Sequence, residues 1–246
     1  TGKANILTFT QTQNTNIGNV LYGIIDWSVS NDNSKIAWLD ANGELTMANI
    51  DGTNIKNYDT GISQPITNQI NVIGNNIYFK NDKSIHRINL ADDSITTISN
   101  DDISFNFAYS VSKDSKYLAY SSTASDGKTP QLTVKNLNTN TVCAVASPVE
   151  AINNISFPPD GAKLAFSPAI IQGSSQTELD VVDPSNCNLV SNTKNYVLLD
   201  FLSNSTILVE NQADSYKIYS INLQGQNATK LNNETFEGVV YLDNIK

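Results

Sequence analysis

Phe157-Pro158-Pro159-Asp160-Gly161-Ala162-Lys163-Leu164-Ala165-Phe166 is the stretch that decides the fold. It recurs as Val29-Ser30-Asn31-Asp32-Asn33-Ser34-Lys35-Ile36-Ala37-Trp38 and as Val111-Ser112-Lys113-Asp114-Ser115-Lys116-Tyr117-Leu118-Ala119-Tyr120. Each copy reads apolar, Ser or Pro, any residue, Asp, a turn, then apolar-Ala-aromatic. Shorter copies are Asn75-Asn76-Ile77-Tyr78-Phe79 and Ser203-Asn204-Ser205-Thr206-Ile207-Leu208-Val209. The aliphatic anchors Ile36, Ile77, Leu118, Leu164 and Ile207 are spaced by 41, 41, 46 and 43 residues. That period belongs to four-stranded propeller blades.

A second line recurs behind each anchor. Leu45-Thr46-Met47-Ala48-Asn49 matches Ile85-His86-Arg87-Ile88-Asn89, Leu132-Thr133-Val134-Lys135-Asn136, Leu179-Asp180-Val181-Val182-Asp183 and Ile218-Tyr219-Ser220-Ile221-Asn222. Each is a short strand closing on Asn or Asp, whose side chains bond nearby backbone and suit turns. The ends carry complementary halves of a further copy. Ile6 to Thr10 resembles the third-strand line and Asn14 to Asn19 fits a fourth strand. Gly238 to Leu242 fits a first strand, and Ile245 follows Ile207 by 38 residues. The expectation is an all-β, six-bladed β-propeller over residues 1–246, read as one domain. Its closing blade is shared by both termini, which removes free strand edges. Five blades with extended tails is the alternative.

The 157–166 motif resembles the blade repeat of TolB-type β-propellers, and the copies at Val29 and Val111 resemble it with Gly replaced or omitted. The resemblance spans nearly the whole chain. It implies a bacterial periplasmic or extracellular location and a propeller that binds other envelope proteins. The N-terminal α/β domain of that family has no counterpart here. Related repeats form the gating propellers of prolyl-oligopeptidase-like enzymes. WD-repeat propellers are less similar, because no copy ends in Trp-Asp.

Charge narrows the partners. The chain carries 15 basic and 24 acidic residues, a formal net charge of −9. Arg87 is its single arginine, and the lysines form no cluster. Nucleic-acid binding needs a cationic surface that displaces counterions, so it is disfavoured. No apolar run approaches the length that spans a bilayer as a helix. The 34 asparagines predict many turns. The chain begins at Thr1, as expected of a processed or cut form. Cys143 and Cys187 are too few for a disulfide framework or a zinc site. The repeat alignment puts both in fourth strands of neighbouring blades, where outer strands diverge, so the expectation is two free thiols, with one disulfide as the alternative.

Catalytic constellations are scarce. His86, the only histidine, falls in a third strand and is expected to be a half-exposed strand residue. No G-x-S-x-G elbow accompanies it. Asp32, Asp114 and Asp160 sit in the repeated turn, where turn chemistry accounts for them. Asp40-Ala41-Asn42-Gly43-Glu44 has a hairpin-turn pattern rather than a calcium loop. The carboxylates that break the repeat, Asp59, Asp101, Asp102, Glu150 and Glu234, fall in connections between blades, which crowd one mouth of a propeller. The loop between second and third strands is long in blades 3 and 4, Ser121 to Pro130 and Ser167 to Gln176, and the second holds Pro168-Ala169-Ile170-Ile171. Clustered exposed apolar residues mark contact surfaces. Asp101, Asp102, Glu150, Ile170 and Ile171 are therefore the expected partner-binding residues. The expected function is a monomeric, non-catalytic scaffold for another protein, with no cofactor and no metal. The competing expectations are a carboxylate-dependent enzyme at the channel mouth, acting on a sugar or with a divalent cation, and a gating or docking propeller cut from a larger protein.

Overall fold

A computed structural model describes residues 24–63, 70–81, 84–99, 108–124, 130–146, 152–168 and 178–231. Within them the chain forms five four-stranded antiparallel sheets, each a meander in sequence order. Blade 1 holds β1 (Ile24–Val29), β2 (Lys35–Asp40), β3 (Leu45–Asn49) and β4 (Lys56–Tyr58). Blade 2 holds β5 (Ile70–Ile73), β6 (Asn76–Lys80), β7 (Ile85–Asn89) and β8 (Ser94–Ser99). Blade 3 holds β9 (Tyr109–Val111), β10 (Tyr117–Thr123), β11 (Pro130–Asn136) and β12 (Val142–Ala146). Blade 4 holds β13 (Ile152–Ser156), β14 (Leu164–Pro168), β15 (Glu178–Val182) and β16 (Leu189–Lys194). Blade 5 holds β17 (Tyr196–Ser203), β18 (Thr206–Asn211), β19 (Lys217–Asn222) and β20 (Thr229–Lys230).

The two repeated lines are the second and third strands of each blade. All five anchors lie on second strands and are buried. Strand alternation sends their neighbours to the opposite face, so both faces of each central strand are apolar. Four hydrophobic clusters follow, one between each pair of consecutive blades. Ala37, Leu39, Leu45 and Met47 of blade 1 meet Ile70, Val72, Ile77 and Phe79 of blade 2. Tyr78 and Ile85 then meet Val111, Leu118 and Tyr120 of blade 3. Ala119, Leu132 and Val134 meet Ile152, Leu164 and Phe166 of blade 4. Ala165, Leu179 and Val181 meet Leu198, Ile207 and Val209 of blade 5.

The innermost strand of each blade has one free edge, whose N–H and C=O groups need partners. Side chains of the preceding blade supply them. Asp26 Oδ2 accepts from Ile70 N at 2.8 Å, and Ser28 Oγ accepts from Val72 N at 3.0 Å. In blades 4 and 5, Asn154 Nδ2 donates to Leu198 O at 2.7 Å, and Ser167 Oγ accepts from Leu198 N at 2.7 Å.

The cysteines correct the sequence expectation. Cys143 and Cys187 form a disulfide, with Cα atoms 5.9 Å apart. Cys143 does lie in the fourth strand of blade 3. Cys187 lies in the turn before β16, at φ 61°, rather than in the outer strand. The argument from diverging outer strands therefore does not apply to it. The long connection of blade 3 is also shorter than expected: β10 runs on to Thr123, and β11 starts at Pro130. The terminal segments of the expected shared blade lie outside the described residues.

Candidate functional site

The meander gives the blades two unlike ends. Turns from first to second and from third to fourth strands gather at one end. Links from second to third strands, and from each blade to the next, gather at the other.

At the first end, polar side chains are committed to holding turns. Asp32 Oδ1 accepts from Ser30 Oγ at 2.6 Å, Ser34 Oγ at 2.7 Å and Ser34 N at 3.0 Å. These bonds lower its pKa to about 2, led by the Ser30 hydroxyl. Asp114 repeats the pattern with Ser112 Oγ and Lys116 N, and Asp160 accepts from Ala162 N. All three are turn residues, as expected. The turns also meet one another: Asn31 Nδ2 donates to Lys113 O at 3.4 Å, and Asp160 N donates to Asn204 Oδ1 at 3.0 Å.

The second end begins, in blade 1, with the Asp40–Glu44 hairpin. Asp40 Oδ1 accepts from Asn42 N and Glu44 N, both at 2.9 Å, so the pattern is a turn as read. Thr60 Oγ1 donates to Gly43 O at 3.1 Å and ties the tip to the link into blade 2. Between tip and link lies an open depression of about 460 Å³, lined by Asn42, Glu44, Asn57, Asp59 and Gly61 over Tyr58 and Ile62. Asp59 is thus at this end, with its Oδ1 accepting from Gly61 N at 3.2 Å. Asp101, Asp102, Glu150, Ile170, Ile171 and Glu234 lie outside the described residues. The strands flanking the first five (β8 and β9, β12 and β13, β14 and β15) point their connecting ends to this same end.

Two charged constellations escaped the sequence reading. Asp26 of blade 1 and Lys80 of blade 2 are both buried, Lys80 with 4% of its surface exposed. Burial pulls the Lys80 pKa down to about 8, against the Asp26 carboxylate, which favours the cation. Tyr109 is buried beside them, donates to Tyr78 O at 3.1 Å and has its pKa raised, chiefly by burial. The available signal was Asp26 within the run Ile24-Ile25-Asp26-Trp27, and Lys80 directly after Ile77-Tyr78-Phe79. In blade 4, Asn192 Nδ2 donates to both Glu178 Oε2 at 3.0 Å and Asp180 Oδ1 at 2.6 Å. Burial raises the Asp180 pKa. One shared amide holds this carboxylate pair, on the third strand rather than in a blade link.

His86 is the half-buried strand residue expected. It stacks on Phe79 with ring centroids 5.0 Å apart, and its Nδ1 lies 3.2 Å from Thr97 Oγ1. Burial lowers its pKa. Among the described residues, no three His, Cys, Asp or Glu side chains converge as a metal site. None of the helices there is long and apolar enough to cross a membrane.

Solved structures match this architecture. A chain of a nidogen–laminin complex superposes with a TM-score of 0.57 at 10% identity, over 81% of this chain and 76% of that one. TolB from Acinetobacter baumannii gives 0.58 at 14% identity, over 82% of this chain and 52% of that one. A puromycin-hydrolysing peptidase of Mycobacterium tuberculosis gives 0.63 at 13% identity, over 89% of this chain but 39% of that one. The chain therefore spans about half of that TolB and less of the peptidase. At these identities the likeness shows a β-propeller fold. No family model matches the sequence, and no curated protein matches it.

Proposed function

We propose that this chain is a six-bladed, TolB-like propeller with its last blade shared by both termini, and that it serves as a non-catalytic scaffold binding another protein. The difference between the two blade ends carries the reading. Carboxylates hold local turns at both ends, Asp32 at one and Asp40 at the other, but the links that depart from the repeat belong to the second. The binding residues proposed there are Asp101, Asp102, Glu150, Ile170 and Ile171, with Asp59 on the same rim. An apolar tip beside an acidic rim suits a basic-edged hydrophobic patch. The Cys143–Cys187 bond supports folding in an oxidising compartment, and with it a bacterial periplasmic or extracellular location. The structural match to a chain of a nidogen–laminin complex is a propeller in a protein assembly.

The test is capture from a native cell envelope, with the chain as bait and an Ile170→Ser/Ile171→Ser variant beside it. A partner retained by the native chain, released as salt rises and lost by the variant at unchanged melting temperature, supports the scaffold. Equal capture by both chains removes these residues from the interface. The proposed monomer is checked by sedimentation. The peptidase match favours a second reading, a gating propeller belonging to a longer enzyme. A hydrolase domain encoded in the same gene would establish it.

A further inference from the structure

We infer that the depression between the blade 1 hairpin tip and the link to blade 2 is a binding site for a neutral saccharide, built on Asn42, Glu44, Asn57 and Asp59. The site goes beyond the scaffold reading and is separate from Ile170 and Ile171, although Asp59 shares their rim.

Its walls are fixed before any ligand arrives. Asp40 Oδ1 accepts from Asn42 N and Glu44 N, and Asp40 Oδ2 accepts from Asn42 Nδ2 at 3.1 Å, so one carboxylate holds the whole tip. Thr60 Oγ1 donates to Gly43 O at 3.1 Å and accepts from Ile62 N at 3.4 Å, which holds the link against the tip. A Cβ on Gly43 would lie 2.0 Å from Ile62 O, so the two walls meet with no room between them. Tyr58 and Ile62 are buried and close the depression from below, and the Tyr58 hydroxyl is engaged by Asp93 at 2.9 Å. The volume of about 460 Å³ lies in the ~300–1,000 Å³ range of small-molecule sites. A site preformed in this way loses little affinity to ordering on binding.

These braces leave most of the polar lining unused. Among the described residues, the Glu44 carboxylate and the Asn57 amide have no hydrogen-bond partner. Asp59 engages Gly61 N through Oδ1 at 3.2 Å and keeps Oδ2 open. The lining therefore offers acceptors from two carboxylates and two amides, and donors from the amide N–H groups. Ligand classes separate on this set. An anion meets two carboxylates and no lining Lys or Arg; Lys56, beside Asn57 in sequence, is paired with Asp93 at 2.8 Å. A cation suits the carboxylates but not the Asn57 N–H donors. Among the described residues no three ligating side chains converge to hold a metal ion. A neutral sugar pairs with the whole set, because each hydroxyl donates to a carboxylate or amide oxygen and accepts from an amide N–H.

The test is saturation-transfer NMR on the full chain with maltose, cellobiose and N,N′-diacetylchitobiose at millimolar concentration. Arginine amide serves as the cationic probe and gluconate as the anionic one. Transfer to at least one disaccharide, unchanged as salt rises and absent for gluconate, supports the site. Asn57→Ala and Glu44→Gln should each weaken that binding about tenfold, the equivalent of ~1.4 kcal/mol and of one hydrogen bond. Melting temperature should not change, because neither side chain is bonded within the fold. Transfer to arginine amide alone, falling as salt rises, assigns the depression to a cation and overturns the proposal. Absence of transfer to every disaccharide overturns it too, as does disaccharide binding that both variants retain. The Ile170→Ser/Ile171→Ser chain separates this site from the scaffold reading. Disaccharide binding retained by that chain supports the blade 1 site, whether or not a protein partner is captured, and disaccharide binding lost in it places the sugar elsewhere and overturns the proposal.

Discussion

Ser156 Oγ donates to Asp200 Oδ1 at 2.6 Å across the boundary between blades 4 and 5, and the two residues are 44 positions apart. The same offset separates Asp26 from Ile70 and Ser28 from Val72 at the first boundary. It also separates Asn154 from Leu198, Asp160 from Asn204, and Cys143 from Cys187. These six contacts therefore recur at one translation of the chain, while others, such as Ser167 to Leu198, do not. They tie inner strands, turns and outer rim alike, with different chemistry at each level.

Replacing Ser156 by Ala removes one of two hydrogen bonds to Asp200 Oδ1, which also accepts from Phe201 N at 2.7 Å. Asp200 already sits above the ordinary carboxylate range because burial opposes its ionisation, and the Ser156 hydroxyl works against that shift. Ser156→Ala is expected to raise the Asp200 pKa further, read by carboxyl-carbon NMR. It should cost about 1–3 kcal/mol in urea unfolding at neutral pH. An unchanged Asp200 titration would show that the bond contributes little.

The disulfide closes a loop of 44 residues, for which the chain-entropy model gives about 4 kcal/mol. Alkylation of the oxidised protein without reductant should modify neither cysteine. Cys143→Ser/Cys187→Ser should lower unfolding free energy by about 2–4 kcal/mol with the fold retained. Two alkylated thiols in untreated protein would contradict the bond.

Gly43 and Gly52 share a φ of 83° and differ in surroundings. A Cβ on Gly43 would lie 2.0 Å from Ile62 O, whereas nothing stands within 4 Å of one on Gly52. Gly52→Ala should therefore cost only left-handed strain, about 1 kcal/mol. Gly43→Ala must also push the blade 1 tip off the link to blade 2, and should cost clearly more. Equal losses in the two variants would mean that the tip yields without resistance.

Most of the fold was legible because each blade repeats the same burial problem. Ile36, Ile77, Leu118, Leu164 and Ile207 mark second strands, and the third-strand lines agree with β3 and β7 residue for residue. Asp32, Asp114 and Asp160 were readable as turn residues because their partners are local. The disulfide was not, since a shift of Cys187 from strand to turn reverses the geometric argument. Asp26 with Lys80 was hidden for a related reason. Their proximity depends on how two blades dock, and the periodicity of a single strand carries no trace of it. Of the expected rim carboxylates, Asp59 alone can be placed, beside a depression that no sequence motif announces.

Lys80 gives stability an unusual pH dependence. Its pKa falls from an ordinary 10.5 to about 8 in the folded chain because burial disfavours the cation. Below pH 8 both folded and unfolded chains hold the proton, and the folded state bears the full desolvation cost. Between about 8 and 10.5 the folded chain releases the proton first, so the unfolded chain binds more protons and stability rises with pH. The gain approaches about 3 kcal/mol at the upper limit. Tyr58 acts in the opposite sense. Burial, then its bond to Asp93, pushes its pKa up to about 12, so its contribution is lost as pH rises above its ordinary 10. The useful window is therefore pH 8 to 10, where unfolding free energy from urea titrations should climb. Lys80→Met should abolish the climb. Its absolute stability is a poorer readout, because the variant also deprives buried Asp26 of a neighbouring cation. A native profile that is flat or falling from pH 8 to 10, or an unchanged climb in Lys80→Met, would show that Lys80 is not the titrating group.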